Sequence, residues 1–373
     1  MKTNQNENVI SVKLKNNSYS IIINQDLLSN FHEYIKKLNI GKKILIVTQD
    51  RIPLVYLKKI KKSFTKADLK IFVLTLKTGE QHKDLNSFLT ILNFAIKNKF
   101  ERNDTFCALG GGVVSDLTGF AASVYYRGCN FICIPTTLLG MVDAAIGGKT
   151  AINIKAGKNL IGSFYQPKII FIDPSCLKTL SKKEFLIGMG EVIKYALLEK
   201  TSKTKFSNVG FFNFLRTNRE KILKLEKKSL LKIINYSCTV KSNIVSKDEK
   251  ESSLRAVLNL GHTFAHGIEQ AYNYKNYTHG EAVAIGICLA SLLSNTLGIL
   301  DEKVKNSIIN LISSYGLPTK LNDSKKIPKI LKSMLLDKKI KDGRLRFILP
   351  DKEIGKVKIV SGISLKKIKA LFN

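Results

Sequence analysis

The chain of 373 residues carries 61 basic and 29 acidic side chains, for a formal net charge of +32. Its hydrophobic fraction of 44% and its mean hydropathy near zero exclude a globally disordered chain and provide enough apolar material for two domains. The apolar stretch at residues 282–293 is well short of the roughly 20 residues that a membrane span needs. The polar first eight residues do not resemble a secretory signal, so we expect a cytoplasmic protein.

The first half of the chain alternates short apolar segments with amphipathic ones. Strands are predicted at residues 9–14, 20–23, 43–48, 70–75, 105–109, 130–134 and 169–173, and helices at 27–38, 53–64 and 85–97. This alternation is typical of βα units on a mainly parallel sheet, which places the first half in the α/β class.

After residue 174 the apolar period changes to that of helices. Helices are predicted at residues 182–199, 220–246, 254–272, 279–297, 301–315 and 327–336, with two late strands at 345–349 and 356–360. We therefore predict an α/β domain at residues 1–174 and a mostly α-helical domain at residues 175–373.

The positive charge does not indicate a nucleic-acid-binding protein. Lysines are spread along the whole chain, and no block of five consecutive basic residues occurs. A nucleic-acid-binding surface would more usually cluster its charge and interleave aromatic side chains. We expect neither a nucleic-acid nor a membrane partner, although the charge can attract anionic substrates. Six cysteines without a CxxC pair indicate reduced structural thiols.

Three consecutive glycines, Gly110 to Gly112, follow a predicted strand and precede an apolar stretch that can open a helix. Glycines at such a turn let the backbone approach a ligand, and a helix N-terminus presents free N–H groups to phosphate. Asp116 lies one turn further on and could accept hydrogen bonds from a ribose or nicotinamide. The triplet alone is a weak signal, because a tight strand-to-helix turn explains it nearly as well.

Lysines flanked by glycines and apolar residues occupy residues 134–162. Lys149 and Lys158 stand there with Asp143 and Asn159 in a segment too apolar to be a merely solvated face. Ammonium groups beside backbone donors are suited to binding a phosphate.

Acidic and imidazole side chains in the second half predict a metal site. Glu191 lies three residues before Lys194 in an apolar helix, where a desolvated carboxylate needs a compensating cation. His262 and His266 are spaced i, i+4 and share a helical face, while His279 opens the next helix. Two histidines and one carboxylate with open positions form a catalytic rather than a structural zinc arrangement. Two packed histidines explain the i, i+4 pair alone better than a metal site does, and the pattern does not decide between His262 and His266.

These motifs, in this order, resemble the 3-dehydroquinate synthase family, the sugar-phosphate cyclases of the shikimate pathway. The resemblance runs from about residue 9 to the C-terminus and is densest in the motifs ALGGGVVSDLTGF, IPTTLLGMVDAAIGGKTAI, GMGEVIKYALL, LNLGHTFAHGIE and THGEAVAIG. It implies a Rossmann-like NAD-binding domain, a helical metal-binding domain and a homodimer. The implied reaction converts 3-deoxy-D-arabino-heptulosonate 7-phosphate to 3-dehydroquinate and phosphate, through transient oxidation, elimination, reduction and aldol closure.

The resemblance also implies a role for individual residues. A zinc or cobalt ion would be held by Glu191, His262 and His279. NAD would contact Thr78, Gly79, Glu80, Gln81, His82, Lys83, Gly112, Val113, Val114, Ser115, Asp116, Thr136, Thr137, Lys149, Lys158, Cys176, Leu177, Lys178 and Thr179. Substrate would contact Asp143, Lys149, Asn159, Lys194, Lys241, Arg255, Asn259, His266 and Lys338, with Arg127 reaching the phosphate in the neighbouring subunit.

Three positions depart from the family pattern, and several alternatives remain open. Ser115 and Ser253 stand where glycine is frequent, and Thr78 replaces a frequent aspartate. Another cyclase, forming an inosose, a valiolone or an aminated dehydroquinate, would share the metal and nucleotide motifs. A metal-dependent alcohol or glycerol dehydrogenase would release NADH, and a nucleic-acid-binding protein is the alternative from a different class.

Overall fold

The described part of the chain forms two compact units. The computed structural model describes residues 8–204, 206, 209–336 and 345–372. The first unit extends to Ser181 and includes Leu230–Cys238, while the second comprises Lys182–Ser229 and the residues from Thr239 onward. An α/β unit and a mostly helical unit confirm the predicted fold class. The domain boundary near residue 174 stays a prediction; a short 3-10 helix, Pro174–Thr179, begins there.

The first unit contains the seven predicted strands and the helices predicted at 53–64 and 85–97, with small shifts at their ends. Its strands are β1 (Asn8–Val12), β2 (Tyr19–Ile23), β3 (Lys43–Gln49), β4 (Lys70–Leu76), β5 (Thr105–Gly110), β6 (Asn130–Pro135), β7 (Lys149–Ile154), β8 (Gly157–Phe164) and β9 (Ile169–Ile172). Its helices are α1 (His32–Lys36), α2 (Leu54–Thr65), α3 (Leu85–Lys97) and α4 (Gly112–Val124). Asp84 caps α3 by accepting a hydrogen bond from the Ser87 amide at 2.8 Å.

A seven-stranded sheet organises the first unit, in the order β1-β2-β9-β6-β5-β3-β4. All of its neighbouring strands are parallel except β1 and β2. The chain leaves β3 for β4 on one side and returns to β5 on the other, so the strand order reverses at β3. Ligands of such sheets bind at the carboxyl ends of the strands beside this reversal.

The central strands of the sheet are buried on both faces. Every residue of β5 is buried, as are six of the seven in β3. Parallel strands covered by helices on both faces carry continuous rather than alternating apolar residues, which explains why these segments were visible in the sequence.

The second unit is a helical assembly with one small hairpin. Its helices are α5 (Lys182–Ala196), α6 (Phe211–Thr217), α7 (Arg219–Leu223), α8 (Lys227–Lys247), α9 (His262–Ala271), α10 (His279–Thr296), α11 (Glu302–Ser314), α12 (Ile327–Leu336) and α13 (Leu365–Ala370). Strands β10 (Arg346–Pro350) and β11 (Val357–Ser361) pair in antiparallel fashion. No helix in the described ranges is long and apolar enough to cross a membrane.

The structure corrects three of the predicted helices. The helix predicted at 254–272 is wrong, because a 3-10 helix, Leu254–Asn259, ends before Gly261, whose φ of 77° is left-handed, and α9 then starts afresh. The helix predicted at 220–246 is interrupted at Leu225, with φ of 55°, between α7 and α8. The segment 27–38 forms a 3-10 turn followed by the short α1.

The two strands of the β7–β8 hairpin and the short helices α6 and α13 were also not predicted. Strand β8 is mostly exposed, so its sequence lacks the apolar signal of the buried strands. The two helices have only seven and six residues, which is too short for a clear period of 3.6.

Candidate metal and nucleotide sites

Three side chains of the second unit converge on one point. The carboxylate of Glu191, on α5, lies 3.5 Å from Nε2 of His262 on α9, and 3.5 Å from Nε2 of His279 on α10. One ligand atom from each of the three residues lies within 4.8 Å of the others. The structure thus brings together the three residues expected to hold a metal.

Close helix crossings at glycines produce this convergence. Each of the three residues has a glycine as its chain neighbour: Gly190, Gly261 or Gly280. A Cβ at Gly190 would lie 2.7 Å from the carbonyl oxygen of Gly280, and a Cβ at Gly280 would lie 2.2 Å from the carbonyl oxygen of Ile187. The backbones of α5 and α10 therefore approach more closely than side chains would allow, which places the carboxylate beside the imidazole.

A close approach of two backbones at glycines also joins α9 to α10. A Cβ at Gly286, on α10, would lie 2.1 Å from the carbonyl oxygen of Gly261. Gly261 also needs its left-handed backbone to start α9 at His262. The bend that broke the predicted helix is therefore the feature that brings His262 to the site.

Both imidazoles present Nε2 to the common point and Nδ1 to an acceptor. Nδ1 of His262 lies 3.1 Å from the carbonyl oxygen of Leu260, and Nδ1 of His279 lies 3.4 Å from Oε1 of Glu269. An acceptor at Nδ1 favours the tautomer that leaves the lone pair on Nε2.

The electrostatics of the site favour a cation. Glu191 is fully buried and pairs with the ammonium of Lys194, which is also buried and lies 4.9 Å from the centre of the Tyr195 ring. Burial lowers the pKa of His279, but hydrogen bonds to Glu191 and Glu269 outweigh burial and raise it to about 10. The carboxylates thus stabilise positive charge on or beside this imidazole.

The donor set and its spacing fit a divalent ion. Zinc with nitrogen and oxygen ligands at about 2.0–2.1 Å separates neighbouring ligand atoms by about 3.3 Å in tetrahedral geometry. The two separations of 3.5 Å between the Glu191 carboxylate and the imidazoles are close to that value. Three protein ligands leave a fourth position for water or substrate, as in catalytic zinc sites.

The other candidate residues of the second unit lie on several elements. His266 is one turn beyond His262 on α9, with ring centroids 5.6 Å apart, and it is outside the three-residue cluster. Lys241 is buried on α8, and Lys338 lies outside the described residues. Arg255 is buried in the 3-10 helix, where its guanidinium donates to the carbonyl of Glu249.

A carboxylate organises the loop before Arg255. Asp248 accepts hydrogen bonds from the backbone amides of Ser252, Ser253 and Arg255 at 2.9, 2.7 and 2.9 Å. Burial alone would raise the pKa of Asp248, but these hydrogen bonds outweigh burial and lower the pKa to about 2. Asn259 is held separately, donating to Oε1 of Glu251 at 2.8 Å. The loop is therefore preorganised through its backbone.

Loops at the carboxyl ends of neighbouring strands form the candidate nucleotide site of the first unit. The Gly110–Gly112 turn ends β5 and opens α4, and the amide of Thr136, after β6, donates to the carbonyl of Gly110 at 3.0 Å. A Cβ at Gly111 would lie 3.2 Å from Cγ2 of Thr137, so the two loops are in close contact. Gly111 has no side chain to cap α4, and the first-turn N–H groups can face a phosphate.

A buried lysine connects these loops to the β7–β8 hairpin. The ammonium of Lys83 binds the carboxylate of Asp116 and also lies 2.5 Å from Oδ1 of Asn159. Burial raises the pKa of Asp116, against the lowering effect of Lys83. Asn153 completes the connection by donating to Oε1 of Glu80 at 2.8 Å. The loop at residues 78–83 and the hairpin are thus joined by charge and hydrogen bonds.

The remaining candidates of the first unit lie on several elements. Thr78 is anchored to Asp50, with Oγ1 2.5 Å from Oδ1, and Lys158 lies 3.9 Å from Glu80. The other candidates lie on five elements: Gly79 before the 3-10 turn of Glu80, Gln81 and His82; Val113, Val114 and Ser115 in α4; Asp143 in a π-helical turn; Lys149 at the start of β7; and Cys176, Leu177, Lys178 and Thr179 in Pro174–Thr179. Arg127 is exposed in a turn with φ of 62°.

Sequence reasoning missed Glu269 and the glycine contacts. Glu269 lies seven residues after His262, so His262, His266 and Glu269 share one face of α9. A buried acidic residue in that register was the available signal. The partners of the glycines are distant in sequence and gave no such signal.

The chain matches two consecutive family models. They are 3-dehydroquinate synthase N-terminal over residues 73–187 and 3-dehydroquinate synthase C-terminal over residues 188–340. A 3-dehydroquinate synthase from Prochlorococcus marinus subsp. pastoris is 43% identical, covering 98% of this chain and 99% of the relative.

Solved structures of similar fold cover nearly the whole chain. 2-epi-5-epi-valiolone synthase from Streptomyces hygroscopicus subsp. jinggangensis, with NAD+ and Zn2+ bound, has a TM-score of 0.85 at 25% identity and covers 96% of each chain. A 2-deoxy-scyllo-inosose synthase, complexed with carbaglucose-6-phosphate, NAD+ and Co2+, has a TM-score of 0.86 at 22% identity, covering 98% of this chain and 99% of its own.

Proposed function

Since this chain belongs to the 3-dehydroquinate synthase family, we propose that it converts 3-deoxy-D-arabino-heptulosonate 7-phosphate to 3-dehydroquinate and phosphate. The enzyme is a phosphate-eliminating lyase of the shikimate pathway. The likeness to named synthases along nearly the whole chain carries this proposal. The cluster of one carboxylate and two imidazoles supports it independently, because it is the donor set of a catalytic metal site.

NAD and a zinc or cobalt ion are the proposed cofactors. When bound, NAD accepts and returns a hydride, and the divalent ion polarises the hydroxyl oxygen that is oxidised. Glu191, His262 and His279 would hold the ion, and the loops at residues 78–83, 112–116 and 136–137 would bind the nucleotide. Lys194 pairs with the buried Glu191 carboxylate and offsets its negative charge.

Polar side chains bind the two charged ends of the substrate. Arg255 and Lys241 take the carboxylate, the arginine because its planar fork can make two parallel hydrogen bonds. Four further residues stabilise the departing phosphate: Lys149, Asn159, His266 and Lys338. Asp143, Lys194 and Asn259 orient the remaining substrate oxygens. Positive charge at the leaving group lowers the barrier to elimination, because negative charge develops there.

Phosphate release tests the reaction directly. Purified protein with zinc or cobalt and catalytic NAD should release phosphate from the heptulosonate, and a chelator should abolish release. No net NADH should accumulate, because each turnover returns the hydride. Accumulating NADH would instead favour a dehydrogenase, and turnover of sedoheptulose 7-phosphate or glucose 6-phosphate without turnover of the heptulosonate would favour another cyclase.

A homodimer in the cytoplasm completes the proposal. Arg127 of one subunit would contact the phosphate in the partner's site, which suits its exposed position in a left-handed turn. The six cysteines, all free and buried, suit a reducing compartment. Mixing an Arg127→Ala subunit with a His279→Ala subunit should restore activity that neither variant has alone. Failure of mixed dimers to regain activity would refute the shared site.

A further inference from the structure

We propose that Glu269 is a positioning residue that fixes His279 as an Nε2 ligand of the divalent ion. Oε1 of Glu269 lies 3.4 Å from Nδ1 of His279, whereas Oε1 of Glu191 lies 3.5 Å from Nε2 of the same ring. The two carboxylates therefore lie beside opposite nitrogens of one imidazole ring. This inference rests on the proposed function, in which that ring binds the metal.

Glu269 acts through the ring and not on the ion. The cluster of possible ligands among the described residues contains Glu191, His262 and His279 but not Glu269. A carboxylate that accepts the Nδ1 proton leaves the Nε2 lone pair facing the other ligands and holds the ring plane in place. It also makes Nε2 a stronger donor to a metal, because its negative charge stabilises the positive charge that the ring acquires.

The two histidines of the site differ in their supporting acceptor. His262 uses a neutral backbone carbonyl, that of Leu260, at 3.1 Å. Because every residue has a backbone carbonyl, this acceptor sets the tautomer without burying a charge. His279 instead has a charged acceptor, whose hydrogen bond is stronger than that of a neutral one. His279 is also the more exposed ring, with 32% of its side chain accessible against 11% for His262. The more accessible ligand is thus the one that a charge holds.

The burial of the Glu269 carboxylate must be compensated by a partner. Its relative exposure is only 8%, and a buried carboxylate is costly unless it is paired. It reaches His279 because it lies on the same face of α9 as His262, two turns further along, where α9 packs against α10. An ion pair that served only stability would not need its carboxylate beside a metal ligand.

Metal affinity measured without substrate tests the proposal. Glu269→Ala should weaken zinc binding by about 10- to 100-fold, the usual effect of removing a group that supports a ligand. Glu269→Gln keeps the shape and an acceptor oxygen but removes the charge, so it should show a smaller loss. In the cobalt-loaded protein, the visible absorption bands should shift in Glu269→Ala and return toward those of the unaltered protein in Glu269→Gln.

Glu281→Gln is the matched control. Glu281 also lies near His279, but it belongs to the capping box of α10, accepting from the amide of Thr278 at 2.8 Å. Its replacement should loosen the helix start without changing zinc affinity or the cobalt spectrum. If Glu281→Gln lowers affinity as much as Glu269→Gln does, general loosening explains the effect and the proposal is refuted.

Two results separate this inference from the proposed function. Unchanged zinc affinity and an unchanged cobalt spectrum in Glu269→Gln and Glu269→Ala would overturn the role of Glu269, whatever the substrate is. If Glu269→Ala does not fold, Glu269→Gln alone decides the question. Failure of the unaltered, metal-loaded protein to release phosphate from the heptulosonate would refute the proposed function instead.

Discussion

Replacing Gly190 by alanine should separate two metal ligands without removing either one. The added Cβ would lie 2.7 Å from the carbonyl oxygen of Gly280, whereas ordinary contact begins near 3.4 Å. Relief of this clash requires α5 to move from α10 by about 0.7 Å, since a backbone carbonyl cannot rotate away. The separation between the carboxylate of Glu191 and Nε2 of His279 is 3.5 Å before that movement.

A shift of this size is enough to disturb metal binding. Carried rigidly to the ligand atoms, it would extend their separation to about 4.2 Å, the full length of two metal–ligand bonds of about 2.1 Å each. Both side chains would then have to move back toward each other to hold an ion, because tetrahedral bonds of this length span only about 3.4 Å between ligand atoms. We expect zinc affinity to fall at least tenfold, or about 1.4 kcal/mol.

Stability should fall as well, against the usual direction for this substitution. Alanine in a helix is favoured over glycine by about 1 kcal/mol, but overpacking costs about 1–3 kcal/mol. The free energy of unfolding should therefore decrease by up to about 2 kcal/mol. Urea unfolding of the metal-free protein measures this change, and competition with a chelator measures the zinc affinity.

Gly267→Ala provides a matched control in the same unit. Its Cβ would also meet an atom at 2.7 Å, but that atom is Cγ of Met334 on α12, and the nearest backbone atom, the carbonyl oxygen of Ile330, lies at 3.2 Å. Stability should fall, because the buried Met334 must repack, but zinc affinity should be unchanged, because neither neighbour is a metal ligand. If Gly190→Ala binds zinc as tightly as Gly267→Ala does, the glycine crossing does not position the ligands.

Three further changes test other parts of the site. His279→Ala should abolish both zinc binding and turnover while far-ultraviolet circular dichroism stays unchanged, and full activity with bound metal would contradict the ligand assignment. Arg255→Lys should raise KM for the heptulosonate because one ammonium cannot replace the guanidinium fork; unchanged kcat and KM would exclude contact with the carboxylate. Because the pKa of Asp248 falls from 3.8 unfolded to about 2 folded, its ionised form adds stability above pH 4 that is lost as the pH drops toward 2. Asp248→Asn should remove about 1–2 kcal/mol of that pH-dependent stability, measured by urea unfolding at pH 5 and pH 3, and an identical pH dependence in both proteins would refute this role.

Much of the fold and the chemistry could be predicted from local sequence. The central strands were visible because they are buried on both faces, and α3 begins and ends where its period and its flanking residues predict. The residue types at the metal cluster also indicated its chemistry, because a carboxylate in an apolar helix, together with three histidines, is the donor set of a catalytic metal site.

What the sequence could not decide depended on contacts between distant residues. The i, i+4 pair left His262 and His266 equivalent, and only the left-handed turn at Gly261 and the crossings of α9, α5 and α10 bring His262 to Glu191. Glu269 likewise became a partner of His279 only when α9 and α10 packed together. Periodicity reports which face of an element is buried, but the identity of the neighbour depends on backbone approaches of a few ångströms, and those are set by the packed tertiary structure.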